Sequence, residues 1–425
     1  MSRIVLSTLG SLGDLHPKIA LALELRKRGH DVIVNTWEGY REKIALLGLE
    51  FRPMRPDVDQ TDQQLLADLM HPRKGPEKVI RELVFPYLRE MFDDLIAACE
   101  RADLMVTGEL IYVAKSVVEK TSIKWVSTSL APLSMFSSDD PNVYPQAEWL
   151  EVLRPLPAAF HNGLFAFMRS TISHWYKPYR SFRRDLGLSE DHDPMFSEKY
   201  SSLLHLAMFS KALALPQPDW WQPTVQTGFC FYDGQQDTGQ RPDGLEEFLA
   251  SGERPIVFTL GSAAVLDPGD FFDECAKAAK LLSRRAVLLY GNDNPPPSGL
   301  TDDIVGFPYA PFSQVFPKAA CVVHQGGVGT TGQVLRAGVP HLIMPYSHDQ
   351  PDNAARCRRN GVARTIRRNR YTAETAAHEI RKLLTDERYY LRAREAAAVV
   401  ATEYGTVAAC DAIESALLNV RQPIK

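Results

Sequence analysis

The chain has 425 residues, with 48 Lys and Arg against 52 Asp and Glu and 45% hydrophobic residues, a length that exceeds one ordinary core and suits two domains of about 200 residues each. A net charge of −4 and a pI near 6.3 give no electrostatic footing for DNA or RNA. No run of 18 apolar residues is present to span a membrane, which leaves only peripheral membrane contact open.

The first third alternates between strand-like and helix-like segments. "RIVLST" (3–8) reads as a short apolar strand and "LHPKIALALELRKRGH" (15–30) as a helix that ends in basic residues and Gly29. "DVIVNT" (31–36) is a second strand, followed by a helix over roughly 38–47, and "DLMVTGE" (103–109) and "KWVSTSL" (124–130) repeat the pattern. Alternating βα units of this length predict a parallel sheet covered on both faces. Residues 135–210 carry scattered aromatics and helical stretches. The Pro-, Gly- and Gln-rich run 215–244 reads as a linker.

Alternation then restarts with "PIVFTLG" (255–261), "AVLLYG" (286–291), "DIVGF" (303–307), "ACVVH" (320–324), "HLIMP" (341–345) and "VARTI" (362–366). Three helical stretches follow, within 372–386, 387–404 and 407–421. Both halves open on an apolar strand and then Gly-Ser, in "STLGSLGD" and "FTLGS". The expected architecture is α/β, with two Rossmann-like domains whose parallel sheets face across a cleft. The boundaries expected are 1–215 for the first domain, 216–244 for the linker and 245–406 for the second domain, with a C-terminal helix near 407–425 free to pack back on the first.

Six scattered cysteines with no C-x-x-C pair predict reduced thiols in a cytoplasmic protein rather than a disulfide frame or a zinc site. The opening "MSRIVLSTLGSLGD" lacks the charged head and apolar stretch of a signal peptide. The basic clusters "KPYRSFRR" (177–184) and "RCRRN" (356–360) read as solvated helix faces.

Chemistry concentrates in "ACVVHQGGVGTTGQVLRAG" (320–338), where Gly327, Gly329 and Gly332 spell G-x-G-x-x-G. A buried strand feeds a glycine turn that opens a helix, and the free N–H groups and positive dipole end of that helix favour phosphate. Thr330 and Thr331 add hydroxyl donors. A nicotinamide dinucleotide would also use this spacing, but it expects an acid at the end of the next strand. Asp349 instead lies past Pro345, in "PYSHDQPDNAA".

The run 309–363, from "YAPFSQVFPKAACVVHQGGVGTTG" to "SHDQPDNAARCRRNGVA", closely resembles the donor-binding signature of nucleotide-sugar glycosyltransferases of the GT-B fold. It stands nearest to the bacterial antibiotic, sterol and rhamnolipid-type enzymes. "GSLGDLHP" (10–17) resembles the same family's opening, and "DWWQPTVQTGFCFYDG" (219–234) its rhamnolipid and sterol branch.

The resemblance implies a donor site. His324, with Gly326, Gly327, Gly329, Thr330 and Thr331, would meet the diphosphate, and Ser262 would reach it from the opposite strand end. Tyr309 to Phe312 would flank the base, and Asp349 and Gln350 would hold the sugar hydroxyls, which an Asp-Gln pair can both accept from and donate to. Plant relatives place a tryptophan where Tyr309 stands and a ribose-binding glutamate where Gly332 stands. The missing carboxylate makes a deoxyribose donor more plausible, so UDP-glucose and dTDP-rhamnose types both stay open.

The implied reaction is inverting transfer to a hydroxyl, with UDP or dTDP as product and no cofactor. Asp14 stands at the family's base position, although a carboxylate before "LHPKIALAL" is also a good helix N-cap. His16 is the rival base. The acceptor pocket is expected from Glu109, Met135, Phe136, Trp149, Trp175 and Tyr176, whose apolar wall suits a polyphenol, a sterol or a hydroxy fatty acid. The Asp-x-Asp matches "DVD" (57–59) and "DHD" (191–193) fall in polar loops far from the phosphate signature, so no metal is expected. The competing readings are an NAD-dependent oxidoreductase and a non-catalytic nucleotide-sugar-binding subunit. The oligomeric state is left open.

Overall fold

The computed structural model describes residues 1–58, 62, 65, 68–191, 193–234 and 242–418. It contains two wholly parallel sheets. The first has seven strands in the order β3-β2-β1-β4-β5-β6-β7. These are β1 (Arg3–Ser7), β2 (Asp31–Thr36), β3 (Glu50–Pro53), β4 (Leu104–Thr107), β5 (Lys124–Ser129), β6 (Leu204–Ala207) and β7 (Thr224–Gln226). The second has six, in the order β10-β9-β8-β11-β12-β13. They are β8 (Ile256–Thr259), β9 (Ala286–Leu289), β10 (Ile304–Phe307), β11 (Cys321–His324), β12 (His341–Ile343) and β13 (Ala363–Thr365).

The helices that matter for the site are α1 (Leu12–Lys27), α2 (Ala158–Ile172), α3 (Val328–Ala337), α4 (Gln350–Arg359), α5 (Glu387–Thr402) and α6 (Gly405–Leu418). Central strands are apolar along their length because helices cover both faces: Ile4, Val5 and Leu6 are all fully buried, as are Ile256, Val257 and Phe258.

In each sheet the strand order reverses direction at one point. That point is between β1 and β4 in the first sheet and between β8 and β11 in the second. Open parallel sheets leave a crevice beyond the strand ends there, because the flanking connections run to opposite sides. The turn after β1 leads into α1, whose third residue is Asp14, and the loop after β4 carries Glu109. The loops after β8 and β11 carry Ser262 and the glycine loop.

Several expectations need correction. The strands β3, β6 and β7 were not predicted; the four-residue EFRP and LHLA runs and the three-residue TVQ are too short to show a period. β7 falls inside the expected linker, so that stretch begins as the edge of the first sheet, and residues 235–241 of the linker lie outside the described residues. α1 starts three residues earlier than expected, because Ser11 rather than Asp14 is its N-cap.

By length and composition alone the helical run Glu387–Leu418 could cross a membrane, since it contains an 18-residue stretch of mean hydropathy 1.2, but a third of that stretch is buried inside the protein. It is interrupted between α5 and α6, and Ala409, Cys410 and Ile413 of α6 are wholly buried in the first-domain core. Arg28 at the end of α1 pairs with Asp411 at 2.6 Å and Glu414 at 2.7 Å. The expected helix beyond Leu418 lies outside the described residues.

The domains are joined by a buried ionic junction. Arg356 on α4, 3% exposed, bonds Asp352 at 2.7 Å and Asn142 at 2.9 Å and also pairs with Asp140. The second Asp352 oxygen accepts the Val143 N–H at 2.9 Å.

Candidate active site

On the first-domain side, β1 ends in a turn that Gly10 makes at φ +126. A Cβ there would fall 2.2 Å from Asp14 Oδ2, so glycine lets the carboxylate lie on the backbone. Asp14 is the third residue of α1. Its Oδ2 accepts the Ser11 N–H at 2.9 Å, while Ser11 Oγ accepts from Gly13 at 3.1 Å, a reciprocal cap. Burial, then the charge of Glu109, then that of Asp349, push the Asp14 carboxyl up to about 7, against the lowering effect of the Ser11 bonds. His16 lies two residues on, which is about 200° around the helix, and its ring meets Tyr232 edge-on at 5.2 Å.

Glu109 follows β4 and accepts from the Leu130 N–H at 2.9 Å and from the Ser134 hydroxyl. The Ser134 carbonyl in turn accepts the Lys199 ammonium at 3.0 Å. Lys199 lies 4.7 Å over the Phe136 ring, which packs on Phe196 at 4.7 Å and Phe165 of α2 at 5.9 Å. Glu109 and Phe136 therefore come together, with Lys199, Phe165 and Phe196 as members that the sequence reading missed. No spacing signal joins these residues; they meet only through the fold of 135–200.

The other expected pocket residues are not brought there. Met135 is 2% exposed and sits in a core cluster with Tyr200 and Phe209. Trp149 is 64% exposed, on a turn whose Glu151 pairs with Arg358 of the second domain at 2.5 Å. Trp175 and Tyr176 pack with the first-domain core.

On the second-domain side, β8 leads through Leu260 to Gly261, φ +66, followed by the exposed Ser262. A Cβ at Gly261 would stand 2.2 Å from Gln325 Nε2 and 3.1 Å from Thr330 Oγ1, so the β8 end and the glycine loop interlock. Gly326, φ +91, likewise has no room for a Cβ, with Ile343 at 2.8 Å. Gly327 is the N-cap of α3, and Gly329 faces open space. The first amides of a helix have no partner within it. That of Val328 is taken by Asp349 Oδ2 at 3.0 Å, which leaves Gly329 and Thr330 to offer theirs.

The expectation for His324 is corrected. Alternation along β11 places its ring on the same sheet face as Val322, whose register partner is His341. His324 is fully buried. Its Nε2 bonds His341 at 2.8 Å and its Nδ1 accepts the Gly326 N–H at 3.0 Å, so both nitrogens are spent inside the protein. Burial and the neighbouring ring hold it well below the usual histidine range. The next residue, Gln325, is the one whose amide reaches Gly261 at the cleft, and its Oε1 is buried without a hydrogen-bond partner among the described residues. The period-two pattern of a strand ending at His324 was the signal available for it.

Thr331 is corrected too. It is fully buried, with its hydroxyl enclosed and its N–H donated to the Gly327 carbonyl at 2.9 Å. Gly332 faces the Phe229 ring, 3.1 Å from where a Cβ would be. A side chain at that position would require the Phe229 ring to give way by a few tenths of an ångström.

Asp349 and Gln350 are each half engaged. Asp349 Oδ2 also accepts from Asn353 at 2.7 Å, and burial first raises the carboxyl to about 6. Gln350 Oε1 accepts from the Tyr346 and Ser347 N–H groups at 2.8 and 3.3 Å. Asp349 Oδ1 and Gln350 Nε2 form no hydrogen bond with the described residues. Tyr309 is 41% exposed beyond β10, and Phe312 stacks on Phe316 at 4.5 Å. Of the Asp-x-Asp matches, Asp59 and His192 lie outside the described residues, while Asp193 pairs with Arg169 at 2.7 Å.

Residues 4–123 match the glycosyltransferase family 28 N-terminal domain, and residues 286–410 match the erythromycin biosynthesis protein CIII-like C-terminal domain. O-mycaminosyltylonolide 6-deoxyallosyltransferase of Streptomyces fradiae is 34% identical over 97% of both chains. The chain is a glycosyltransferase.

A sterol 3-beta-glucosyltransferase of Cryptococcus neoformans is 26% identical over the whole chain and 28% of its own length. Among solved structures, the kitacinnamycin glycotransferase superposes with a TM-score of 0.71 at 22% identity, covering 98% of this chain and 99% of that one. The spinosyn rhamnosyltransferase SpnG complexed with thymidine diphosphate gives 0.68 at 15%, covering 97% and 100%. The transferase thus has the GT-B fold. Its cleft sets the N-terminal end of α3 on one domain against the Asp14 carboxylate, raised to about 7, on the other.

Proposed function

We propose that the chain transfers a deoxyhexose from a thymidine-diphosphate sugar to a hydroxyl of an apolar small molecule, with inversion at the anomeric carbon and without a metal. The observation that carries this reading is the opposition of Asp14 to the interlocked Gly261–Gln325–Thr330 cradle, each at the reversal point of its sheet. The choice of a deoxyhexose rests on the likeness to a 6-deoxyallosyltransferase, and that of thymidine over uridine on the likeness to a rhamnosyltransferase complexed with thymidine diphosphate.

In this reaction Asp14 takes the acceptor's hydroxyl proton as that oxygen bonds to the anomeric carbon. The bond from the anomeric carbon to the diphosphate breaks, and its electron pair leaves on the phosphate oxygen. The Gly329 and Thr330 amides and the positive end of α3 stabilise that charge. Asp349 Oδ1 and Gln350 Nε2 are the free polar atoms for sugar hydroxyls. The wall of Phe136, Phe165 and Phe196 receives the acceptor, with Glu109 and Lys199 as its polar end.

A thermal-shift panel with dTDP, UDP and NADH tests the donor. A ligand at 100 times its dissociation constant stabilises by about 2.7 kcal/mol. The expected order is dTDP above UDP, with no shift from NADH. A larger shift from UDP would replace the thymidine donor by a uridine one, and silence from both would sink the donor site. Transfer unaffected by chelator is expected, and loss of transfer restored by manganese would overturn metal independence.

A further inference from the structure

The segment 68–75 precedes β4 in the chain, yet it docks on the second domain. Met70 is 7% exposed and lies in the second-domain core cluster that contains Tyr346. The Leu69 carbonyl accepts from His348 Nε2 at 2.9 Å, and the His71 carbonyl accepts from the Ser347 hydroxyl at 3.1 Å. His71 Nδ1 closes the turn by accepting the Arg73 and Lys74 N–H groups at 3.2 and 3.1 Å. At Gly75 a Cβ would lie 2.2 Å from the Leu69 carbonyl and 3.2 Å from Ser347 Oγ, so the segment can turn here only on glycine.

His348 itself stands at φ +56, a region that residues with a Cβ rarely adopt and that persists only where the surroundings hold it. Asp349 and Gln350 follow it directly, and Gln350 bonds back to the Tyr346 and Ser347 backbone. The loop 346–350 is therefore one unit, gripped from the first domain at its middle.

Transfer needs a sugar held by one domain to meet a base supplied by the other with sub-ångström register. We propose that His348 is a positioning residue: bonded to the Leu69 carbonyl, it fixes Asp349 and Gln350 relative to the first domain and so sets the donor sugar, but not the nucleotide, in line with Asp14. This rests on the reading that Asp349 and Gln350 hold the sugar.

The test compares His348→Ala, His348→Gly, His348→Gln and Gln350→Ala with the unaltered full chain. Calorimetric affinities for dTDP and for dTDP-glucose are measured, together with the rate of dTDP-glucose hydrolysis. Should UDP bind the unaltered chain more tightly, UDP and UDP-glucose are the pair. His348→Ala and His348→Gly are expected to leave the nucleotide affinity within about twofold and to lower sugar-nucleotide affinity and hydrolysis about tenfold, one hydrogen bond's worth. His348→Gln, which keeps a donor, restores much of both. The glycine variant suits a positive φ and keeps the test valid if the alanine variant does not fold.

Equal losses for nucleotide and sugar nucleotide would overturn the proposal, since a merely structural residue moves both. Loss in Gln350→Ala with none in the His348 variants would overturn it alone. An unchanged Gln350→Ala, or no binding of either pair by the unaltered chain, would remove the reading beneath it.

Discussion

The carboxylates of Asp14 and Asp349 confront one another across the cleft, one from each domain, and the charge of Asp349 is the third influence that raises Asp14, after burial and Glu109. A base raised to about 7 is ionised above that pH, so kcat/KM should climb to a plateau through about pH 7. Removing the facing charge with Asp349→Asn should move the inflection to lower pH as well as slow the reaction. An inflection that stays in place would show that the two groups do not interact. Asp14→Asn should lower kcat by roughly a hundredfold to ten-thousandfold while dTDP still binds; near-normal turnover would return His16 to consideration.

The same group makes a prediction about stability. A carboxyl whose folded pKa is raised contributes fully below its unfolded value near 3.8 and loses that contribution as pH rises through about 7. At pH 8 the folded protein therefore holds an unfavourable charge that Asp14→Asn removes. The variant's Tm should exceed the parent's by roughly 2–4 °C at pH 8, with the difference vanishing near pH 4. A variant destabilised equally at both pH values would indicate that only the capping box was lost.

How much of this could be read from the chain depends on periodicity. The βα alternation predicted ten of the strands, because buried parallel strands are continuous apolar runs such as "RIVLS" and "CVVH". β3, β6 and β7, of three or four residues, carry no such signature. The turn from β11 into α3 was legible in its glycines, but the direction of each side chain around it was not. His324 ends a strand whose alternation turns it to His341, and its neighbour Gln325 packs its amide against Gly261. The aromatics of 135–200 were least legible: Trp149 and Phe136 look alike in sequence, and only the path of the chain exposes one and half-buries the other beside Lys199.

The buried junction at Arg356 should govern how the domains unfold. Removing one member of a buried ion pair strands the other, at a cost of about 3–5 kcal/mol. Arg356→Ala leaves the wholly buried Asp352 and its neighbour Asp140 without their shared cation. Calorimetry should show one transition for the parent. The variant should show an earlier and broader one, split between the domains. A single transition at the parent Tm would mean the junction adds nothing to the coupling.

Gly261 gives the most local test of the donor cradle. It adopts φ +66, and a Cβ would fall 2.2 Å from Gln325 Nε2 and 3.1 Å from Thr330 Oγ1. Gly261→Ala therefore adds two costs at one point. One is the left-handed backbone penalty of about 1–2 kcal/mol, and the other is displacement of the Gln325 amide from its place against Gly261, beside the proposed diphosphate site. The nearest backbone partner is not struck, so the sheet should survive and circular dichroism should match the parent. The affinity for dTDP should fall about tenfold, because a displaced amide no longer offers its hydrogen bond. Gln325→Ala separates the two costs: it relieves the clash, so the double variant Gly261→Ala with Gln325→Ala should bind no worse than Gln325→Ala alone. If the double variant instead shows the sum of both single losses, the two residues act independently and the β8 end does not share one cradle with the glycine loop.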